Sequence, residues 1–216
     1  MSIQIKLYVK LAKPVFFKID PELTHDLVTY AGIFLGSNIV TKFITNFFFN
    51  YKNKALNINI KGINFPNPVG LAAGFDKNAK LVDIMPYTGF GFEEVGSITA
   101  NPCNGNPKPR VFRLPKDNSI IVNYGLCNDG ANIICKRLKN MKFKIPLGIS
   151  IAKTNDFNIK GNDSVNDYYK SYNSAKNIGD YITINISCPN TGDGRSFEDP
   201  VLLELLLKKI KNPKKP

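Results

Sequence analysis

Three short stretches of this sequence gather side chains able to bind and transform a flat, polar, anionic ligand. The first is Leu71-Ala72-Ala73-Gly74-Phe75-Asp76-Lys77. Ala73 and Gly74 are small enough to let backbone approach a planar molecule, and Lys77 offers a charge for an anionic ring or carboxylate. The same residues also suit a tight turn with its lysine in water. The second stretch, 185–191, places the carboxamides of Asn185 and Asn190, the hydroxyl of Ser187 and the thiol of Cys188 within six residues. Amides both donate and accept, which fits a heterocycle rich in N–H and C=O groups. A thiol acts as base or nucleophile once its neighbours favour the thiolate, although Cys188 alone reads equally as a small buried apolar residue. The third, 122–130, is a polar turn containing Asn123, Tyr124, Gly125 and Leu126 that leads into a helix, with Asn128 or Asp129 suited to its N-cap.

Strands and helices must carry these loops. Residues 1–55 show apolar residues at helical spacing. Asp20-Pro21-Glu22 supplies an N-cap, a proline at the first helical position and an acid in the first turn, so a helix is expected over 21–35 and a second over 39–49. Both are too short to cross a bilayer but able to lie on one. Lone His25 sits in the first and reads as structural. From residue 57 the pattern is strand-like, with a hairpin at Lys61-Gly62. Strands are then expected at 69–72, 93–98, 147–151 and 181–186, alternating with helices at 79–87, 130–139 and 164–177 and a last helix after Asp199-Pro200. Four strand–helix units in succession argue for a parallel sheet with right-handed crossovers, as half of an eight-stranded barrel or as an open sheet. The first two chemical loops follow strands, at the C-terminal ends where α/β proteins place their sites.

The composition, 43% hydrophobic and 21% charged, is that of an ordinary folded protein. A net charge of +12 comes mostly from lysine, with no basic run interleaved with aromatics, so nucleic acid is not an expected partner. Cys103, Cys127, Cys135 and Cys188 form no CxxC pair and have no histidine at ligand spacing, which argues against a metal.

In order and context these stretches resemble the dihydroorotate dehydrogenases over nearly the whole chain. The resemblance rests on GINFPNPVGLAAGFDK (62–77), GFGFEEVGS (89–97), PKPRVFRL (107–114) and NISCPN (185–190), while FKIDPE (17–22) with Thr24-His25 resembles the start of the quinone-dependent, membrane-associated class. It implies an α/β barrel of the (β/α)8 type with FMN at the C-terminal ends of its strands, preceded by a helical segment (1–55) that lies peripherally on a membrane and admits quinone. By that resemblance Ala73, Gly74, Phe75, Asp76, Lys77, Ser97, Ser150 and Asn185 match the flavin site. Lys77, Asn185 and Asn190, with the 123–126 turn of Asn123, Tyr124, Gly125 and Leu126, match the substrate site, and Cys188 the catalytic base. The implied activity is oxidation of dihydroorotate to orotate in pyrimidine biosynthesis, with quinone as final acceptor. The implied location is the cytoplasmic face of a bacterial inner membrane or the mitochondrial inner membrane.

The sequence departs from the family pattern in four places. Cys188 stands where the quinone class usually has serine and the soluble class has cysteine. The Asn123 turn is one residue short and lacks an arginine. Ser150 replaces a common asparagine, keeping one hydrogen-bonding group of two. Residues 56–216 correspond to about the first four strand–helix units, so the expectation is an incomplete barrel whose C-terminal half is missing. The alternatives are a soluble-class enzyme using fumarate or NAD, and a non-catalytic half-barrel.

Overall fold

The structure is a computed structural model and describes residues 3–191, 196–211, 213 and 215–216. α1 (Ile3–Leu7), a π-helical turn (Tyr8–Ala12) and α2 (Lys13–Phe16) run on from one another and precede α3 (Pro21–Gly36). Asp20 caps α3 as its spacing predicts, accepting from the N–H groups of Glu22 and Leu23 at 2.9 Å. α4 (Ile39–Phe49) starts at an Asn38 cap and is bent 114° from α3. Among the described residues no single helix is long and apolar enough to cross a membrane. α4 nevertheless leaves Ile39, Phe43 and Phe47 70% or so exposed (76%, 69% and 74%).

β1 (Ile58–Ile60) and β2 (Ile63–Phe65) form the expected antiparallel hairpin, with Lys61 (φ 53°) and Gly62 (φ 82°) both left-handed in a two-residue turn. β3 (Gly70–Leu71) and β4 (Phe92–Ile98) then enter a parallel sheet. β5 (Val111–Leu114) and β6 (Ser119–Val122) make a separate antiparallel hairpin, and β7 (Leu147–Ile151) and β8 (Tyr181–Ile184) complete the sheet in the order β3-β4-β7-β8. β7 is buried along its whole length, as expected of a central parallel strand covered on both faces. α5 (Ala131–Leu138), α6 (Asn162–Ala175) and α7 (Pro200–Ile210) form the helical layer. Val95, Ile149 and Ile151 of the sheet pack with Ile134, Ala175 and Leu206 of these helices in the main core. On the sheet's other face, aromatic rings take the space that glycines leave. A Cβ on Gly70 would collide with the Phe92 ring, and one on Gly148 with the Tyr181 ring.

Four expectations need correction. No α-helix covers 79–87; the segment is a series of turns ending in a 3-10 turn (Met85–Tyr87). Asp76 accepts from the N–H groups of Lys80 (2.8 Å) and Leu81 (2.7 Å), and Ala79 takes φ 53°, so local side-chain capture outcompetes helical hydrogen bonding. The 69–72 strand shrinks to Gly70–Leu71 because the chain leaves the ladder to form the next turn, where Gly74 N–H donates to the Gly96 carbonyl at 2.7 Å. The last strand ends at Ile184, since the Asn185 side chain turns the backbone by accepting from Ser187 N–H at 3.2 Å. Neither Asn128 nor Asp129 is the cap of α5: Gly130 is, and buried Asn128 instead accepts from Thr99 and Gly130 N–H groups.

Candidate active site

The C-terminal ends of β4, β7 and β8 bring three of the sequence-selected side chains into one line. Ser97 Oγ lies 2.7 Å from Ser150 Oγ, and Asn185 Nδ2 donates to Ser97 Oγ at 2.8 Å. The parallel register sets this up, pairing Val95 with Ile149 and Ile151 with Ile184 just before the rim. Asn185 stays attached to the sheet through its own N–H, which donates to the Ile151 carbonyl at 2.9 Å, while its carbonyl accepts from Tyr168 Oη at 2.5 Å. The Asn185 amide carries two N–H groups, of which this row uses one.

Gly74 sits beside this row with φ 101°, and a Cβ built there would meet nothing within 4 Å. Ala73 and Gly74 therefore border open space, the condition for a flat ring to lie against backbone. Phe75 is turned toward α3, where its carbonyl lies 2.8 Å from His25 Nε2 and its ring is 4.9 Å from the His25 ring, so His25 ties α3 to this loop. Asp76 is also drawn inward. It is 3% exposed, spends both carboxylate oxygens on the 76–81 turn, and lies beside Glu93, itself 1% exposed. Burial, and then the Asp76 charge, push the Glu93 carboxyl up to about 9, so it holds its proton at neutral pH.

Lys77 Nζ stands 3.8 Å from the centroid of the Tyr124 ring. Burial holds its ammonium below the ordinary lysine value, opposed by Cys127 and reinforced by the nearby Arg110 cation. Arg110 is 7% exposed and lies 5.0 Å from the same ring. Its Nη2 donates to Glu22 Oε1 of α3 at 2.6 Å and its Nε to both Glu22 oxygens at 3.1 and 3.2 Å. For Glu22, burial pushes upward, but hydrogen bonds and charge from Arg110 and Lys108 outweigh it and leave the carboxyl below its usual value. These residues border a polar cavity of about 230 Å³ between α3 and the loops.

A third amide joins the two expected substrate carboxamides. Asn106 Nδ2 donates to Asn123 Oδ1 at 2.8 Å and to the Asn190 carbonyl at 3.1 Å, and Asn190 Nδ2 donates to the Val122 carbonyl at 3.1 Å. Asn123 and Asn190 thus come together across 67 residues of sequence, at the foot of the β5–β6 hairpin. Gly125 is buried at φ 66° against Asn106, and Leu126 follows at φ 57°. Cys188 lies in the loop after β8, half-buried and in no disulfide, with its carbonyl accepting from Thr191 Oγ1 at 3.3 Å. Sequence reasoning missed Glu22, Asn106 and Arg110 as parts of this site. Among the described residues no cluster of His, Cys, Asp or Glu could hold a metal ion.

A family model described as dihydroorotate dehydrogenase matches residues 55–216, three quarters of the chain. The chain belongs to the dihydroorotate dehydrogenase family. Two similar relatives, both named dihydroorotate dehydrogenase (quinone), come from Idiomarina loihiensis and Gloeobacter violaceus. The first is 40% identical over 210 residues and the second 36% over 201, each covering 93% of this chain. The chain spans 58% and 56% of their respective lengths. Among solved structures, DHODH of Eimeria tenella in complex with ferulenol matches with a TM-score of 0.75 at 34% identity, over 88% of this chain and 50% of that one. Its ligand-free form matches with the same TM-score at 35% identity. The four-stranded parallel sheet with its helices is accordingly part of the family's (β/α)8-type barrel.

Proposed function

We propose that this site contributes to the oxidation of dihydroorotate to orotate, with FMN as hydride acceptor and a quinone as final acceptor, in pyrimidine biosynthesis. The observation that carries the reading is the Ser97–Ser150–Asn185 row beside the open backbone of Gly74. A row of hydroxyls and an amide beside the uncrowded backbone of Gly74 suits the polar edge of an isoalloxazine ring, so the residues present fit the cofactor. When bound, FMN supplies the redox chemistry that no side chain here possesses.

The chain's own residues do the rest. Lys77, desolvated and held over the face of the Tyr124 ring, would present a positive charge to the substrate carboxylate and to the flavin. Asn123 and Asn190, tied together by Asn106, offer amide groups to the pyrimidine ring, joined by Asn185 from the other side. Cys188 would serve as the base that takes the proton from C5 of dihydroorotate. The exposed apolar face of α4 and the bent α3–α4 pair support a peripheral seat on a membrane surface, on the cytoplasmic side in a bacterial cell, as the way quinone arrives.

The test is optical. Purified protein titrated with FMN should quench flavin fluorescence, and dihydroorotate added without oxygen should bleach the flavin absorbance; a quinone should restore it. Absence of flavin binding, with the fold intact by circular dichroism, refutes the proposal in favour of a half-barrel without chemistry. Reoxidation by fumarate or NAD but not by a quinone points to the soluble class.

A further inference from the structure

Lys77 does not stand on its own loop alone. Its ammonium faces the Tyr124 ring, that ring faces the Arg110 guanidinium, and Arg110 is gripped by Glu22, the second residue of α3. The Arg110 end is held rigidly. Arg110 also donates through Nη1 to the carbonyls of Asn104 (2.9 Å) and Asn106 (3.2 Å), and its Nη2 lies 3.7 Å from Cys127 Sγ, so its guanidinium has almost no room to turn. A Cβ on Gly105 would run into Arg110, Tyr124 and Cys127, showing how closely the loop wraps this side chain. Glu22 is 88 residues from Arg110 in sequence and belongs to the helical segment, not to the barrel.

We propose that Glu22 and Arg110 are positioning residues through which α3 sets the orientation and charge environment of Lys77, making the helical segment a working part of the substrate pocket and not only its membrane support. The inference rests on the reading of Lys77 as a substrate-binding residue. Two signs of charge act on Lys77 from this device. Arg110 disfavours its ammonium form and Glu22 favours it. The other ionisable groups around the cavity are His25 and Asp26 of α3, Asp76 and Lys80 of its own loop, and Lys108 and Cys127. A tilt of α3 would withdraw Glu22 and leave Arg110 acting on Lys77 uncompensated.

The experiment follows the titration of Lys77 by NMR in the purified chain labelled at lysine Cε, with its signal assigned by loss in Lys77→Arg. In Glu22→Gln the midpoint should move to lower pH, because the favourable charge is lost while Arg110 and burial remain. In Arg110→Gln it should move to higher pH. A purely structural role predicts that Glu22→Gln loosens the loop, admits water to Lys77 and raises the midpoint, which would overturn the proposal, as would no change in either variant. Should Arg110→Gln fail to fold, Tyr124→Leu gives a second reading. The Lys77 ε-methylene protons lie over an aromatic ring and should lose their upfield shift in that variant and keep it in Tyr124→Phe. Equal shifts in both variants also count against the relay. Orotate binding measured on the same samples separates the two ideas: opposed Lys77 midpoints without orotate binding leave the relay standing and remove the substrate reading, whereas orotate binding with unmoved midpoints does the reverse.

Discussion

Substituting Glu93 by glutamine should remove a pH-dependent weakness at the heart of the sheet. Glu93 is 1% exposed at the start of β4, its Oε1 has no hydrogen-bond partner, and burial beside Asp76 raises its carboxyl from 4.5 to about 9. In the unfolded chain the group ionises above 4.5, whereas the native protein keeps the proton until about 9. The native state therefore binds more protons throughout that window, and stability is full below the unfolded value and falls as pH rises toward the folded one. Each pH unit costs about 1.4 kcal/mol, so by neutral pH, roughly 2.5 units into the window, the loss is on the order of 3 kcal/mol. A glutamine is nearly isosteric, carries no proton to lose and can donate to Asp76. Urea unfolding of both proteins across the window should give curves that coincide at the acid end and diverge by about 3 kcal/mol at neutrality, with the variant the more stable. Parallel pH dependences would refute the reasoning and place the carboxyl in contact with water.

Other perturbations bear on the site directly. Glu22→Gln should remove stability that is present above the carboxylate's unfolded value and lost as pH falls through its lower native one, so wild type and variant should converge in acid melts. Arg110→Ala, which leaves Glu22 with Lys108 as its remaining cation, should cost about 1.5–3 kcal/mol in denaturant titrations. Asn185→Ala should weaken FMN fluorescence quenching about tenfold by removing a charge-neutral donor and its support of Ser97, a loss of roughly 1.4 kcal/mol. Cys188→Ala should slow flavin bleaching by dihydroorotate about 10² to 10⁴-fold, and an unchanged rate would move the base elsewhere. Deleting residues 1–55 should abolish co-sedimentation with anionic liposomes, and persistence of binding would locate the membrane surface outside α3 and α4.

What the linear pattern made legible was periodic and local. The α3 cap at Asp20, the Lys61-Gly62 turn, and the apolar runs of β4 and β7 each declare themselves within ten residues. Ser97 and Asn185 were legible through the family resemblance and Ser150 as a departure from it, while their meeting in one row follows from the sheet's register. The 79–87 helix misled because its periodicity is real, yet one buried carboxylate capturing two backbone N–H groups outweighs a weak helical preference. The β5–β6 hairpin went unread, although Val111–Leu114 and Ser119–Val122 flank a Pro-Lys-Asp-Asn turn with Asn118 left-handed. Glu22 and Arg110 could not be paired from spacing at all, since their contact is made by docking one segment on another. The rarity of arginine in a lysine-rich chain was the available signal.

The glycine–aromatic contacts beneath the sheet have a consequence for inheritance. Gly70 with Phe92, and Gly148 with Tyr181, each set a bare backbone of one strand against a ring of its neighbour. Neither glycine can gain a carbon while its ring stays, and since both rings are half-buried and line an apolar cavity of about 390 Å³, the ring must swing into that cavity or shrink to make room. Each glycine is thus harder to change alone than together with its ring. Descendants of this chain should carry these four residues as two linked traits, with alanine at a glycine position accompanied by a smaller side chain across from it.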